Sequence, residues 1–180
     1  MKWLGLAAIS FCLFHVAYHW KFGNTQNALW ACHVASVLVG LGLLVQVPTI
    51  SAIGLLWLVL GIPLWILSLV GGGEFIPTSI LTHFGGAAIG VIAFRQHKWP
   101  SGVWWMAFVS LAAWFVVTRQ WTAPELNVNL AFQVPGRKMA SLVSHRTYLT
   151  ILSAGIILLF WTADRYFSYA LTPVERLPPQ

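Results

Sequence analysis

The chain is poor in charge. Only 8% of its 180 residues are charged, with four acidic residues against ten Lys and Arg in total. Soluble domains carry roughly 25% charged residues, so this composition excludes an ordinary water-facing globular surface. Because 58% of the residues are hydrophobic, the composition predicts an all-α fold, a polytopic bundle of transmembrane helices.

Cysteine is also scarce. Cys12 and Cys32 both lie in apolar runs, whereas a disulfide framework needs more cysteines, usually in a small secreted domain. We therefore expect two free thiols, although the sequence leaves a Cys12–Cys32 bridge open. The first apolar run ends in His15 and aromatic residues, which fit a signal-cleavage site badly, so we expect a retained first span.

The ten basic residues do not gather into a stripe. They are scattered along the chain, which argues against nucleic-acid binding and favours anchoring at a membrane surface. We therefore expect membrane lipids, and other membrane subunits, as the partners of this chain.

Long apolar runs are abundant. A helix needs about 20 apolar residues to cross the hydrocarbon core, and Gly, Pro, Asn or charge separates the runs of this chain. We expect a single transmembrane domain over 1–180. Its six predicted spans lie near 3–20, 28–46, 51–71, 77–95, 102–118 and 147–168.

Most histidines fall inside or beside these apolar runs. If six spans alternate in direction, Cys32 and five of the six histidines lie in the same half of the membrane, and His97 lies on the other side. Ionisable groups inside a bilayer are costly and tend to face the bundle interior, so this placement predicts a buried polar site. The five histidines are His15, His19, His33, His83 and His145.

Helical spacing indicates which of these side chains share a face. His15 and His19 are four residues apart, as are Cys32 and Ser36 in "NALWACHVASVLVGLGLL". One narrow face of the fourth span, which we call the stripe, carries small side chains and one histidine. Such a face lets another helix approach closely, so we expect the histidine to lie in the seam between the two helices. The stripe consists of Ser79, His83, Gly86, Ala87 and Gly90.

Three chemistries fit this set of residues. A nucleophilic Cys32 would be activated by His83, since a thiolate needs a base in an apolar setting. Alternatively, His15, His19, His33 and His83 would be nitrogen ligands of a metal or a haem. In the third interpretation the histidines only form hydrogen bonds between helices. The sequence does not decide among these three interpretations, and it does not identify a cofactor.

Three stretches carry a resemblance to a known family. With "ALWACHVASVLVGLGLL", "EFIPTSILTHFGGAAIGVIAF" and "LNVNLAF", the chain resembles the YwaF-like family of bacterial integral membrane proteins. Cys32 and His83 fall at the family's Cys and His, and Asn127 and Asn129 lie near its Asn-rich stretch. A eukaryotic relative is described as a cysteine-dependent phospholipid acyltransferase. The resemblance thus implies Cys32 as acyl-accepting nucleophile and His83 as its base.

The leading hypothesis is therefore a small multi-pass protein of the bacterial inner membrane that transfers lipid acyl groups at a buried Cys/His site. Two alternatives remain open, a non-catalytic subunit of a larger membrane complex and a haem- or metal-binding membrane protein. The sequence leaves undecided whether the protein is an enzyme.

Overall fold

The computed structural model describes residues 1–23 and 25–171, without the side chains of residues 137 and 138, so the predicted domain 1–180 extends outside this range. The described residues form helices and no strand, and the predicted all-α helical bundle is confirmed. The helices are α1 (Lys2–Phe22), α2 (Ala31–Val45), α3 (Pro48–Val70), α4 (Pro77–Gln96), α5 (Trp104–Trp121), α6 (Arg137–Leu142) and α7 (His145–Ala170).

Only α1, α3, α4 and α7 are long and apolar enough to cross a membrane among the described residues. This supports an integral membrane protein, but the prediction of six spans is wrong. Helix α2 has 15 residues, which at about 1.5 Å each reach about 22 Å, short of a core about 30 Å thick. Helix α5 holds Arg119 and Gln120 with four tryptophans, which lower its mean hydropathy. The expected span at 28–46 is therefore too short to cross a membrane, and the one at 102–118 is not apolar enough.

Glycines let α1 and α3 approach α2 closely. A Cβ on Gly40 of α2 would lie 2.5 Å from the carbonyl oxygen of Gly5 in α1. Similarly, a Cβ on Gly54 of α3 would lie 2.6 Å from the carbonyl oxygen of Ala35. Such small-residue contacts hold helices together by packing where the surroundings are apolar. They fix the antiparallel pair α1–α2, whose other end carries His15 and His33.

Helix α4 contains one π-helical turn, Leu81–Gly85. Its small face packs as the stripe predicts, because a Cβ on Gly86 would meet Ser36 Oγ of α2 at 2.8 Å and one on Gly90 would meet Leu55 of α3 at 3.1 Å. A π-turn rotates the residues within it relative to a regular α-helix, and such turns are frequent at functional sites. His83 lies in this turn.

A buried carboxylate holds the far end of the bundle. Asp164 of α7 is 2% exposed and accepts hydrogen bonds from Trp99 Nε1 at 2.7 Å and from the backbone N–H of Gly102 at 3.1 Å. Gly102 has φ +74, a conformation that favours glycine. Asp164 thus ties the loop between α4 and α5 to α7, a role that the sequence analysis did not predict.

Asp164→Ala should therefore destabilise the bundle by about 2 kcal/mol, since it leaves a buried indole N–H and a backbone N–H without their acceptor. The free energy of unfolding in detergent micelles measures this loss. Asp164→Asn keeps one acceptor oxygen and should lose less, and Arg165→Ala, at the exposed neighbour, should change little. Equal stability of Asp164→Ala and the parent would show that this carboxylate does not hold the loop.

Candidate metal centre

Four imidazole rings from three helices follow one another in a path that bends at His15, since the centroids of His19 and His33 are 6.1 Å apart. The ring centroids are 4.6 Å apart for His19 and His15, 4.1 Å for His15 and His33, and 5.8 Å for His33 and His83. All four side chains are buried, with exposed fractions between 0% and 6%. We call His19, His15, His33 and His83 the histidine row. The structure thus brings together four of the histidines singled out by the sequence.

His83 presents an unpartnered nitrogen. Its Nδ1 lies 2.7 Å from the backbone oxygen of Ser79. Because a carbonyl oxygen only accepts, Nδ1 carries the proton and Nε2 carries the lone pair. His83 Nε2 is buried and has no hydrogen-bond partner among the described residues, while the ring stacks on Trp65 at 4.9 Å between centroids. A buried acceptor without a donor costs stability, so this nitrogen is a candidate ligand.

His33 is held in the same tautomer. Its Nδ1 donates to the backbone oxygen of Asn27 at 3.1 Å, which leaves the lone pair on Nε2. Metal-binding histidines commonly donate their other ring N–H to a backbone carbonyl or a carboxylate, which fixes the ring and its tautomer. His33 and His83 both show this arrangement, at the start of α2 and in the π-turn of α4.

Cys32 completes a set of three donors. Cys32, His33 and His83 each offer one potential ligand atom, and these atoms lie within 4.8 Å of one another. We call these residues the Cys–His–His set. Cys32 is half-buried and packs against Gly61 of α3, where an added Cβ would lie 2.7 Å from Cys32 Cβ. Both cysteines are free thiols, and Cys12 lies buried in α1 outside the set. Sulfur and imidazole donors together suit zinc and copper.

His15 and His19 are engaged with each other. Their Nε2 atoms are 3.2 Å apart, and His15 Nδ1 lies 2.8 Å from Thr78 Oγ1. A hydrogen bond between two ring nitrogens needs one N–H and one lone pair, so only one of the two Nε2 atoms carries a proton. Two nitrogens bound tetrahedrally to one zinc ion would be about 3.3–3.4 Å apart at Zn–N distances of about 2.0–2.1 Å. The pair would therefore fit a cation after a change of tautomer.

The loop between α5 and α6 covers the start of α2. Asn129 Oδ1 accepts from the N–H of Ala31 at 2.8 Å, and Asn129 Nδ2 donates to the carbonyl oxygen of Leu29 at 3.0 Å. Asn127 folds the loop itself, since its Oδ1 accepts from the N–H groups of Phe132 and Gln133. The resemblance pointed to both asparagines, but only Asn129 reaches the segment that leads into Cys32.

Other residues considered in the sequence lie outside the row. His145 Nε2 contacts the carbonyl oxygen of Leu130 at 3.2 Å in the covering loop, and His97 is exposed after the end of α4. Glu74 is exposed in the turn before α4. Sequence reasoning missed Trp65 and Thr78, because an aromatic or hydroxyl side chain in an apolar run carries no separate signal.

No haem fits between His15 and His33. His15 and His33 have ring centroids 4.1 Å apart, which leaves no slot between them for a macrocycle. The donors fit a single metal ion better. Comparison with protein-family models, with curated proteins and with solved structures finds no match for the chain.

Proposed function

We propose that the protein is an integral membrane protein that binds a metal ion through Cys32, His33 and His83. The observation that supports this most strongly is the Nε2 atom of His83, which is fully buried and unpartnered, on a residue of the Cys–His–His set. In an apolar interior a bound cation would supply the partner that this lone pair lacks.

The surroundings of the donors support the same function. Backbone oxygens of Ser79 and Asn27 fix the tautomers of His83 and His33, so both rings need no proton rearrangement before they bind. Trp65 stacks on His83 and limits its rotation. A three-donor set leaves one position of a tetrahedral ion for another ligand, and the His15–His19 pair lies beside it.

Metal analysis of the purified protein tests this proposal. After loading with copper or zinc and removal of free metal, we expect about one ion per chain, because three oriented donors form one site. The double variant His33→Gln/His83→Gln should retain almost none. The double variant His97→Gln/His145→Gln, which changes two histidines outside the row, should retain the full amount. Equal metal content in both double variants would contradict the proposal.

Acyl transfer is a second candidate function for the same residues. The proximity of Cys32 to His83 and the free lone pair of His83 favour it; a base that takes the thiol proton needs such a lone pair. No hydrogen bond joins the two side chains among the described residues. A thiol-reactive acyl probe separates the two functions. Acyl transfer predicts labelling that Cys32→Ala removes, and metal binding predicts that a bound ion protects Cys32.

Lipids are the partners that we propose for the outer surface. Only 17% of the most apolar stretch of α7 is buried inside the chain, so its remaining surface faces lipid or another membrane subunit. From the resemblance we propose the bacterial inner membrane as the protein's location.

A further inference from the structure

We propose that the Cys–His–His set selects a monovalent soft cation, Cu(I), over a divalent one. This inference rests on the proposed metal-binding function and names the class of ion that the site takes. It follows from the charge of the donors, from their number and from their chemical softness.

The charge of the donors favours a single positive charge on the ion. His33 and His83 are neutral ligands when their Nδ1–H groups donate to carbonyl oxygens. On binding, the S–H bond of Cys32 breaks, its proton leaves to water and an S–Cu bond forms, while copper stays Cu(I). Thiolate and Cu(I) then sum to zero charge, whereas a divalent ion would leave one positive charge. An uncompensated charge is costly in an apolar interior.

Neighbouring charges do not change this balance. Glu74, in the turn before α4, is exposed and outside the set. Lys21 is also exposed, and its ammonium lies 5.0 Å from the ring centroid of Phe22. Solvent screens both groups more strongly than it screens the buried donors.

The number and softness of the donors point to the same ion. Zinc with these three donors needs a fourth ligand such as water, whereas Cu(I) is satisfied by three ligands. A fourth imidazole is not immediately free, because His15 and His19 share a proton between Nε2 atoms 3.2 Å apart. Both ions accept a thiolate sulfur, but Zn(II) is borderline in softness and also takes oxygen ligands, so the soft sulfur favours the softer ion, Cu(I).

Competition experiments on the full chain in detergent test this inference. Cu(I) is titrated without oxygen against a colorimetric Cu(I) chelator, and Zn(II) is titrated against a zinc-binding dye. We expect Cu(I) to bind more tightly than Zn(II). Cys32→Ser should weaken Cu(I) binding at least about 100-fold and Zn(II) binding about 10-fold or less, because Zn(II) also accepts an oxygen ligand and the softer Cu(I) does so poorly. Cys12→Ser, which changes the cysteine outside the set, should alter neither affinity.

The possible outcomes distinguish a failure of Cu(I) selection from a failure of metal binding itself. If the parent binds Zn(II) as tightly as Cu(I), or if Cys32→Ser weakens both ions equally, selection of Cu(I) is wrong and the metal site stands. If neither ion binds, both proposals fall. Circular dichroism verifies that Cys32→Ser is folded, and Cys32→Ala, which is smaller and fits against Gly61, repeats the test if it is not.

Discussion

Replacing His83 with Leu should abolish stabilisation by metal and leave the metal-free protein at least as stable as the parent. At a free metal concentration of 100 times the dissociation constant, binding stabilises the parent by about 2.7 kcal/mol, and the variant should gain nothing. The metal-free variant loses a buried acceptor that has no donor. The Ser79 oxygen still accepts from Thr82 Oγ1 at 2.9 Å, so the change removes a penalty at little cost.

Thermal unfolding of the parent and His83→Leu, each with and without metal, measures both effects. His97→Leu is the matched control, since His97 is an exposed histidine outside the row, and it should keep the full shift with metal. A shift of parental size in His83→Leu would contradict the metal role of His83. A loss of more than about 2 kcal/mol in the metal-free variant would show that His83 is mainly a structural residue.

Asn129→Ala should destabilise the protein by about 2 kcal/mol, because it removes two hydrogen bonds and leaves the N–H of Ala31 without an acceptor. The Leu29 oxygen still accepts from Trp114 Nε1 at 2.9 Å. It should also weaken metal binding about 10-fold, the lower end for residues that orient metal ligands. Ala31 directly precedes Cys32, so the change loosens the start of α2. Unfolding free energy and metal affinity are measured on the same preparation.

Asn127→Ala is the control for this effect. It changes the same residue type in the same loop, but its partners are Phe132 and Gln133, so stability should fall while metal affinity stays at the parental value. The opposite pattern, with affinity lost in Asn127→Ala and kept in Asn129→Ala, would contradict the role of Asn129 in positioning Cys32.

Composition was sufficient to predict an all-helical membrane bundle, because the low charge excludes a water-facing surface. Hydropathy alone overcounted the spans. The run at 28–46 looks continuous, but the helix begins only at Ala31 and ends at Val45, and Gln46 adopts φ 59. An apolar run is longer than the helix inside it where the residues of the adjoining turn are also apolar, as Leu29 and Trp30 are.

The candidate site could be predicted as a group of residues but not as a geometry. The spacing of His15 and His19 put these two on one helical face, and the small stripe of α4 put His83 in a helix–helix seam. That the histidines gather was inferred from six alternating spans, and that span count is wrong. The orientation of His83 depends on the π-turn Leu81–Gly85 and on the carbonyl oxygen of Ser79, and neither has a signature in side-chain pattern. Asp164 was missed for a related reason, since its partners Trp99 and Gly102 lie far away in the chain.

X-ray absorption by the bound metal tests the central claim most directly. A metal centre formed by the Cys–His–His set predicts one sulfur and at least two imidazole nitrogens in the first coordination shell of the loaded protein. Cys32→Ser should lose the sulfur scattering, while Cys12→Ser should keep it. A shell without sulfur or imidazole, or sulfur scattering that persists in Cys32→Ser, would contradict a metal centre built from Cys32, His33 and His83.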